Sequence, residues 1–204
     1  MSFKKLIPEI NEALERLDYE NPLPFQKKIL GKIKSGSNIF GIAPSGSGKT
    51  TSIIIGTIQT LEGKAMGDMP RALIFVKDKD AALELEEKFK KFTRHTDLRV
   101  FTAFQGPDIE NQKIAIYEGM DIVISTPAFV HKLFKITGIH LGQLKLFVVE
   151  DAEFLTVSRD FNYLIQMPPH IPKCQYLVFA TEFTPKIERL EESFMEHSEI
   201  VLEN

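Results

Sequence analysis

Two clusters in this chain have residue types and spacing suited to phosphate chemistry: Ala43-Pro44-Ser45-Gly46-Ser47-Gly48-Lys49-Thr50 and Glu150-Asp151-Ala152-Glu153. In the first, two glycines let backbone N–H groups close around phosphate oxygens, the lysine reaches outer phosphates, and the threonine hydroxyl suits Mg²⁺. It fits the phosphate-binding loop pattern with Ala43 in place of the first glycine. Nucleotide contacts are therefore expected from Ser45, Gly46, Ser47, Gly48, Lys49, Thr50 and Thr51. In the second, carboxylates follow an apolar run, at the strand end where open parallel sheets place ligands. One carboxylate can hold Mg²⁺ and its neighbour can orient an attacking water, which makes Lys49, Glu150 and Asp151 the expected catalytic set and Thr50 with Glu150 the metal set.

These clusters need a scaffold, and the surrounding sequence describes one. Short apolar runs at 39–43, 72–76, 100–104, 122–126, 146–150 and 176–180 read as buried parallel strands. Between them, amphipathic segments at 50–61, 80–92, 109–118, 127–134 and 184–195 read as helices, with Thr126-Pro127 and Thr184-Pro185 as the clearest starts. Ahead of the sheet, 7–17 and 25–33 carry a helical period and are divided by Asn21-Pro22-Leu23-Pro24. The expected fold is α/β: a three-layer P-loop domain with a mainly parallel central sheet, in which 1–35 is a helical preface and 36–204 the core of one domain.

Composition narrows the partners. With 204 residues and 43% hydrophobic content the chain can build a sizeable core, and its net charge of −3 gives no global field for polyanions. A nucleic-acid site must be a local patch. A single cysteine, Cys174, and the absence of a signal-like or membrane-length apolar stretch predict a reducing, cytoplasmic setting without membrane contact. The five histidines share no metal-ligand spacing, Cys174 reads as a small packing residue, and the 16 phenylalanines recur at core spacing. Lys88, Lys90, Lys91 and Arg94 read as the charged outer face of a helix.

The order of motifs resembles the first RecA-like domain of DEAD-box RNA helicases. The stretch 17–26 is similar to that family's Q motif, which implies that Gln26 reads adenine, with Phe3 as a candidate upstream aromatic on the base or simply a packing residue. The resemblance further places 43–50 at motif I, Gln105-Gly106 at the Gly-Gly step, Thr126-Pro127 at motif Ib, 150–153 at motif II and Phe179-Ala180-Thr181 at motif III. It implies ATP and Mg²⁺ as cofactors, RNA contact through Lys79, Gly106, Thr126 and Pro127, and coupling between ATP and RNA through Thr181.

Departures from the family pattern qualify this. Motif II begins Glu-Asp instead of Asp-Glu, motif III has Phe179 for serine, and Ala128 and Phe129 replace the usual glycine and arginine of motif Ib. The family's second RecA-like domain is not in these residues. Hydrolysis is accordingly expected to be weak or absent in the chain alone, without unwinding, and RNA binding weak. The rival reading is an inactive helicase-like module that binds nucleotide for a protein partner or a second domain acting in trans. A P-loop kinase or GTPase fits less well, since no guanine-reading Asn-Lys-x-Asp is present.

Overall fold

The structure is a computed structural model that describes residues 3–157 and 159–203. Seven strands, β1 (Ile39–Ile42), β2 (Ala72–Phe75), β3 (Val100–Thr102), β4 (Ile122–Ser125), β5 (Leu146–Val149), β6 (Gln175–Ala180) and β7 (Glu199–Leu202), form one sheet. All pairings are parallel, in the order β3-β4-β2-β5-β6-β1-β7.

Alternation along the strands sorts the core into two sheets of packing. Ile39, Ile74, Val148, Leu177 and Phe179 face one side, and Phe40, Leu73, Phe75, Phe147 and Val178 the other. Helices α1 (Pro8–Arg16), α2 (Pro24–Ser35), α3 (Lys49–Thr60) and α4 (Lys79–Thr93) cover the first side, with Ile10, Phe25, Ile29, Ile53 and Phe89 fully buried there. Residues of α6 (Pro127–Lys135), α8 (Asp160–Leu164) and α9 (Pro185–Phe194) cover the second, through Phe129, Leu133, Leu164, Ile187 and Leu190. The described residues also form α5 (Ile109–Tyr117), α7 (Phe154–Val157) and two 3-10 turns, Phe3–Lys5 and Pro168–His170.

Local chemistry explains the helix starts. Asp78, Thr126 and Thr184 cap α4, α6 and α9 by accepting from the N–H groups of Ala81, Phe129 and Ile187, and Pro127 and Pro185 occupy first-turn positions that need no donor.

The sequence reading differs from the structure in three places. It missed β7, which is a half-exposed edge strand, and the short helices α7 and α8. It also ran most strands past their ends, because Ala43, Val76 and Glu150 each continue the ladder by one N–H bond, to Ala180, Ser125 and Phe75, before the chain bends away. Among the described residues, no helix is long and apolar enough to cross a membrane.

Candidate nucleotide and nucleic-acid site

In the strand order, β6 lies between β5 and β1, so the segments after these three strands meet at the C-terminal edge of the sheet. They are the loop 43–48, the acidic segment 150–153 and Thr181.

The loop is held open by backbone geometry. Gly46 and Gly48 have φ of 84° and 87°, the left-handed region that glycine enters without strain. At Gly48 a side chain is also excluded by space, since a Cβ would lie 2.4 Å from Gln26 Nε2. Gln26 is buried at the start of α2, where its Oε1 accepts from Leu23 N–H at 2.9 Å and its Nε2 donates to the Gly48 carbonyl at 3.4 Å. Tyr19, Leu23, Gln26, Ser45, Gly46, Gly48, Lys49, Thr50, Thr51 and Asp151 line one pocket of about 340 Å³. The amide expected to read a base is thus beside the loop expected to hold phosphate.

Lys49 is 6% exposed, and its ammonium donates to the carbonyls of Ala43 at 2.7 Å and Pro44 at 3.2 Å. Ser47 is buried, and among the described residues its hydroxyl has no hydrogen-bond partner. A buried hydroxyl without a partner is costly unless a ligand satisfies it, so the loop fits a phosphate group.

Thr50 Oγ1 donates to Glu150 Oε1 at 2.6 Å, joining the first turn of α3 to the end of β5. Burial pushes the Glu150 carboxyl above its ordinary range; the Thr50 bond opposes this, and the Asp151 charge adds to it. Asp151 is exposed at φ 45° and lines both the loop pocket and a larger cleft of about 560 Å³. Glu153 accepts from both the hydroxyl (2.6 Å) and the backbone N–H of Thr181. Burial would raise its carboxyl, but these bonds prevail and hold it below the ordinary value. Among the described residues no cluster of three or more His, Cys, Asp or Glu could hold a metal. A Mg²⁺ ion at Thr50 and Glu150 fits the usual pattern of few protein ligands completed by phosphate and water.

The expected RNA contacts follow three adjacent strands: Lys79 after β2, Gly106 after β3, Thr126 after β4. Their free valence is limited. The Lys79 ammonium lies 3.9 Å from the centroid of the Phe104 ring, the Thr126 hydroxyl caps α6, and Pro127 is buried. The Ala128 N–H, at the helix start where a phosphate could bind, donates instead to Asp160 at 3.2 Å.

Several further residues can now be placed. Phe3 is 7% exposed within the core, so it packs and does not face the pocket. The aromatic in the pocket is Tyr19, seven residues before Gln26 within the stretch 17–26, and its spacing to Gln26 is the sequence signal for it. Phe179 removes a hydroxyl, as expected, yet motif III remains linked to motif II through Thr181 and Glu153. Lys88 and Lys91 are surface charges of α4, as an outer face requires, and they also border a notch beside Thr50 and Thr51. Cys174 is partly buried and desolvation pushes its thiol up to about 12, in keeping with a small packing residue.

A family model described as DEAD/DEAH box helicase matches residues 23–190. The chain is 29% identical over 188 residues to the pre-mRNA-processing ATP-dependent RNA helicase PRP5 of Meyerozyma guilliermondii, covering 89% of this chain and 22% of that protein. It is 27% identical over 206 residues to the ATP-dependent RNA helicase RhlB of Pseudomonas syringae pv. tomato, covering 96% of this chain and 52% of the other. The chain thus spans about half, or less, of the length of these relatives. In fold it is similar to a DEAD box protein from the hyperthermophile Methanococcus jannaschii, with a TM-score of 0.88, 20% identity, and coverage of 98% of this chain and 55% of that one. A structure of S. cerevisiae dbp5 bound to nup159, gle1, ip6 and ADP gives 0.85 at 17% identity, covering 96% and 52%.

Proposed function

The chain belongs to the DEAD/DEAH box helicase family, and from that premise we propose that it is the ATP-binding RecA-like part of an ATP-dependent RNA helicase. The observation that carries this reading is the bond from Thr50 Oγ1 to Glu150 Oε1, because it joins the phosphate loop to the acidic strand end in the arrangement that Mg-ATP requires.

In this reading Gln26 holds the adenine edge with its amide, and Tyr19 supplies an aromatic wall. The N–H groups of 45–50 cradle phosphates. Lys49 exchanges its bonds to Ala43 and Pro44 for phosphate oxygens, a swap of acceptors in an unchanged burial. Thr50 and Glu150 would hold Mg²⁺, which when bound would neutralise charge on the phosphates. Asp151, exposed where the two pockets join, orients water. Thr181 links this centre to the RNA side through Glu153. Lys79, Gly106 and Thr126 give a weak RNA surface, since Asp160 already takes the Ala128 amide. The 560 Å³ cleft beside Asp151, Glu153 and Thr181 is the face for a second RecA-like domain or a protein acting in trans.

The exchanged Glu150-Asp151 order and the Asp160 cap favour a second reading, in which the chain binds Mg-ATP and signals its bound state to a protein partner without turnover. One experiment separates them: ATP hydrolysis with and without single-stranded RNA, with Lys49→Ala as control and a fluorescent nucleotide titrated in parallel. RNA-stimulated turnover that disappears in the variant supports the helicase reading. Tight binding without turnover supports the module, and no binding rejects both.

A further inference from the structure

The nucleotide pocket does not end at Tyr19. A second notch of about 340 Å³ adjoins it and shares three of its residues, Tyr19, Thr50 and Thr51. Its floor is apolar, made by Leu17, Ile54 and Phe92, with the Tyr19 ring 6.0 Å from that of Phe92. Its remaining wall is α4, which contributes Lys88 and Lys91 from one helix face. Lys88 is paired with the exposed Glu84 at 2.6 Å and also lies within electrostatic reach of Glu150. Among the described residues the Lys91 ammonium has no partner, and the main chain of Lys91 is fixed by a bond from Arg16 to its carbonyl.

The proposed nucleotide fixes which part of a ligand this notch would meet. Phosphates lie at Gly46–Thr50 and the base at Gln26 and Tyr19, so the sugar spans the first turn of α3 at Thr51, where the notch opens. Two cations over an apolar floor, one without a counter-charge, suit a phosphomonoester and give little to a neutral hydroxyl.

We propose that Lys88 and Lys91 form a second phosphate subsite, which accepts a phosphate carried on the ribose of the bound nucleotide. The inference rests on the nucleotide reading above. It predicts that the chain discriminates among nucleotides by their sugar substituents as well as by their bases.

The test is displacement of a fluorescent adenine nucleotide from the full chain by ATP, AMP, adenosine 3′,5′-bisphosphate and adenosine 2′,5′-bisphosphate at low salt. One of the bisphosphates should bind about tenfold more tightly than AMP, the size expected for a charge-assisted contact. Lys91→Gln should remove most of that preference and Lys88→Gln/Lys91→Gln all of it. Lys173→Gln, on the exposed approach to β6, makes the same charge change and should keep it. Equal affinity for AMP and both bisphosphates, or a preference that survives in the double variant, overturns the proposal while leaving the nucleotide reading intact. Failure of AMP and ATP alike to displace the probe overturns both.

Discussion

Gly41 of β1 stands in register with Phe179 of β6, and the two form one packing unit. A Cβ on Gly41 would lie 2.9 Å from Phe179 Cδ1 and 2.6 Å from Ile29 Cδ1, while the Phe179 ring meets Phe25 at 6.5 Å. The bulky residue at the motif III serine position is therefore accommodated by an absent side chain on the neighbouring strand, and it abuts the residue next to Gln26. Gly41→Ala should destabilise by about 1 to 3 kcal/mol through overpacking. Phe179→Ala should cost about 3 to 5 kcal/mol through a cavity. In the double variant the two should offset each other by at least ~0.5 kcal/mol, read from urea unfolding. Strict additivity would show that the two residues do not act as a unit.

What the sequence made legible follows physical locality. Strands β1, β2, β4 and β5 are buried on both faces, so their composition is apolar throughout and betrays them. The loop 43–50 declares itself because phosphate binding by backbone demands glycines and a lysine at set spacing. By contrast β7 alternates partly buried and exposed residues over only four positions, a pattern a loop could share. The placement of Tyr19 in the pocket, of Phe3 in the core and of Lys91 in the notch depends on how α1, α2 and α4 cross, which no local period encodes. The Phe179–Gly41 relationship spans 138 positions and emerges only from the β1–β6 pairing.

Gln26 is positioned by two bonds of unequal type: it caps α2 through Leu23 and touches the loop through Gly48. Gln26→Ala should weaken ATP about tenfold and leave GTP within about twofold, because only the adenine edge uses both faces of the amide. Gly48→Ala should weaken both nucleotides, since it strains the loop at φ 87° and displaces Gln26 together. Fluorescent-nucleotide titrations with both bases check this; equal losses of ATP and GTP in Gln26→Ala would reject the adenine assignment.

The exchanged carboxylates make a prediction about rate. Asp151 is one methylene shorter than glutamate and sits at φ 45°, a conformation that aspartate tolerates better than most residues. A misplacement of about 1 Å at the reacting centre can cost on the order of 100-fold. Glu150→Asp/Asp151→Glu, assayed with a second RecA-like domain supplied in trans, should raise turnover at least tenfold with little change in nucleotide affinity. Unchanged turnover would place the lesion elsewhere.

Far from this edge, Asp121 anchors the opposite end of the sheet. It is fully buried and accepts from Arg71 at 2.6 Å, from Arg99 Nε at 2.8 Å and from the N–H groups of Met66 and Arg99 at 3.0 Å. Burial would raise its carboxyl, but the bonds from Arg99, Arg71 and Met66 outweigh this and hold it below the ordinary value. The sign follows directly: a native value below the unfolded one, about 3.9, means stabilisation that is complete above that value and lost as pH falls through the native value. Asp121→Asn leaves the buried Arg71 without its charge partner, a loss of about 3 to 5 kcal/mol at pH 7 and so roughly 10 °C in Tm. The gap between wild type and variant should stay level from pH 8 to about pH 5 and then narrow under more acid conditions. Thermal melts across that range decide the matter, and a gap that widened with acid would mean that the Asp121 carboxyl is raised in the fold and that its arginines do not compensate its burial.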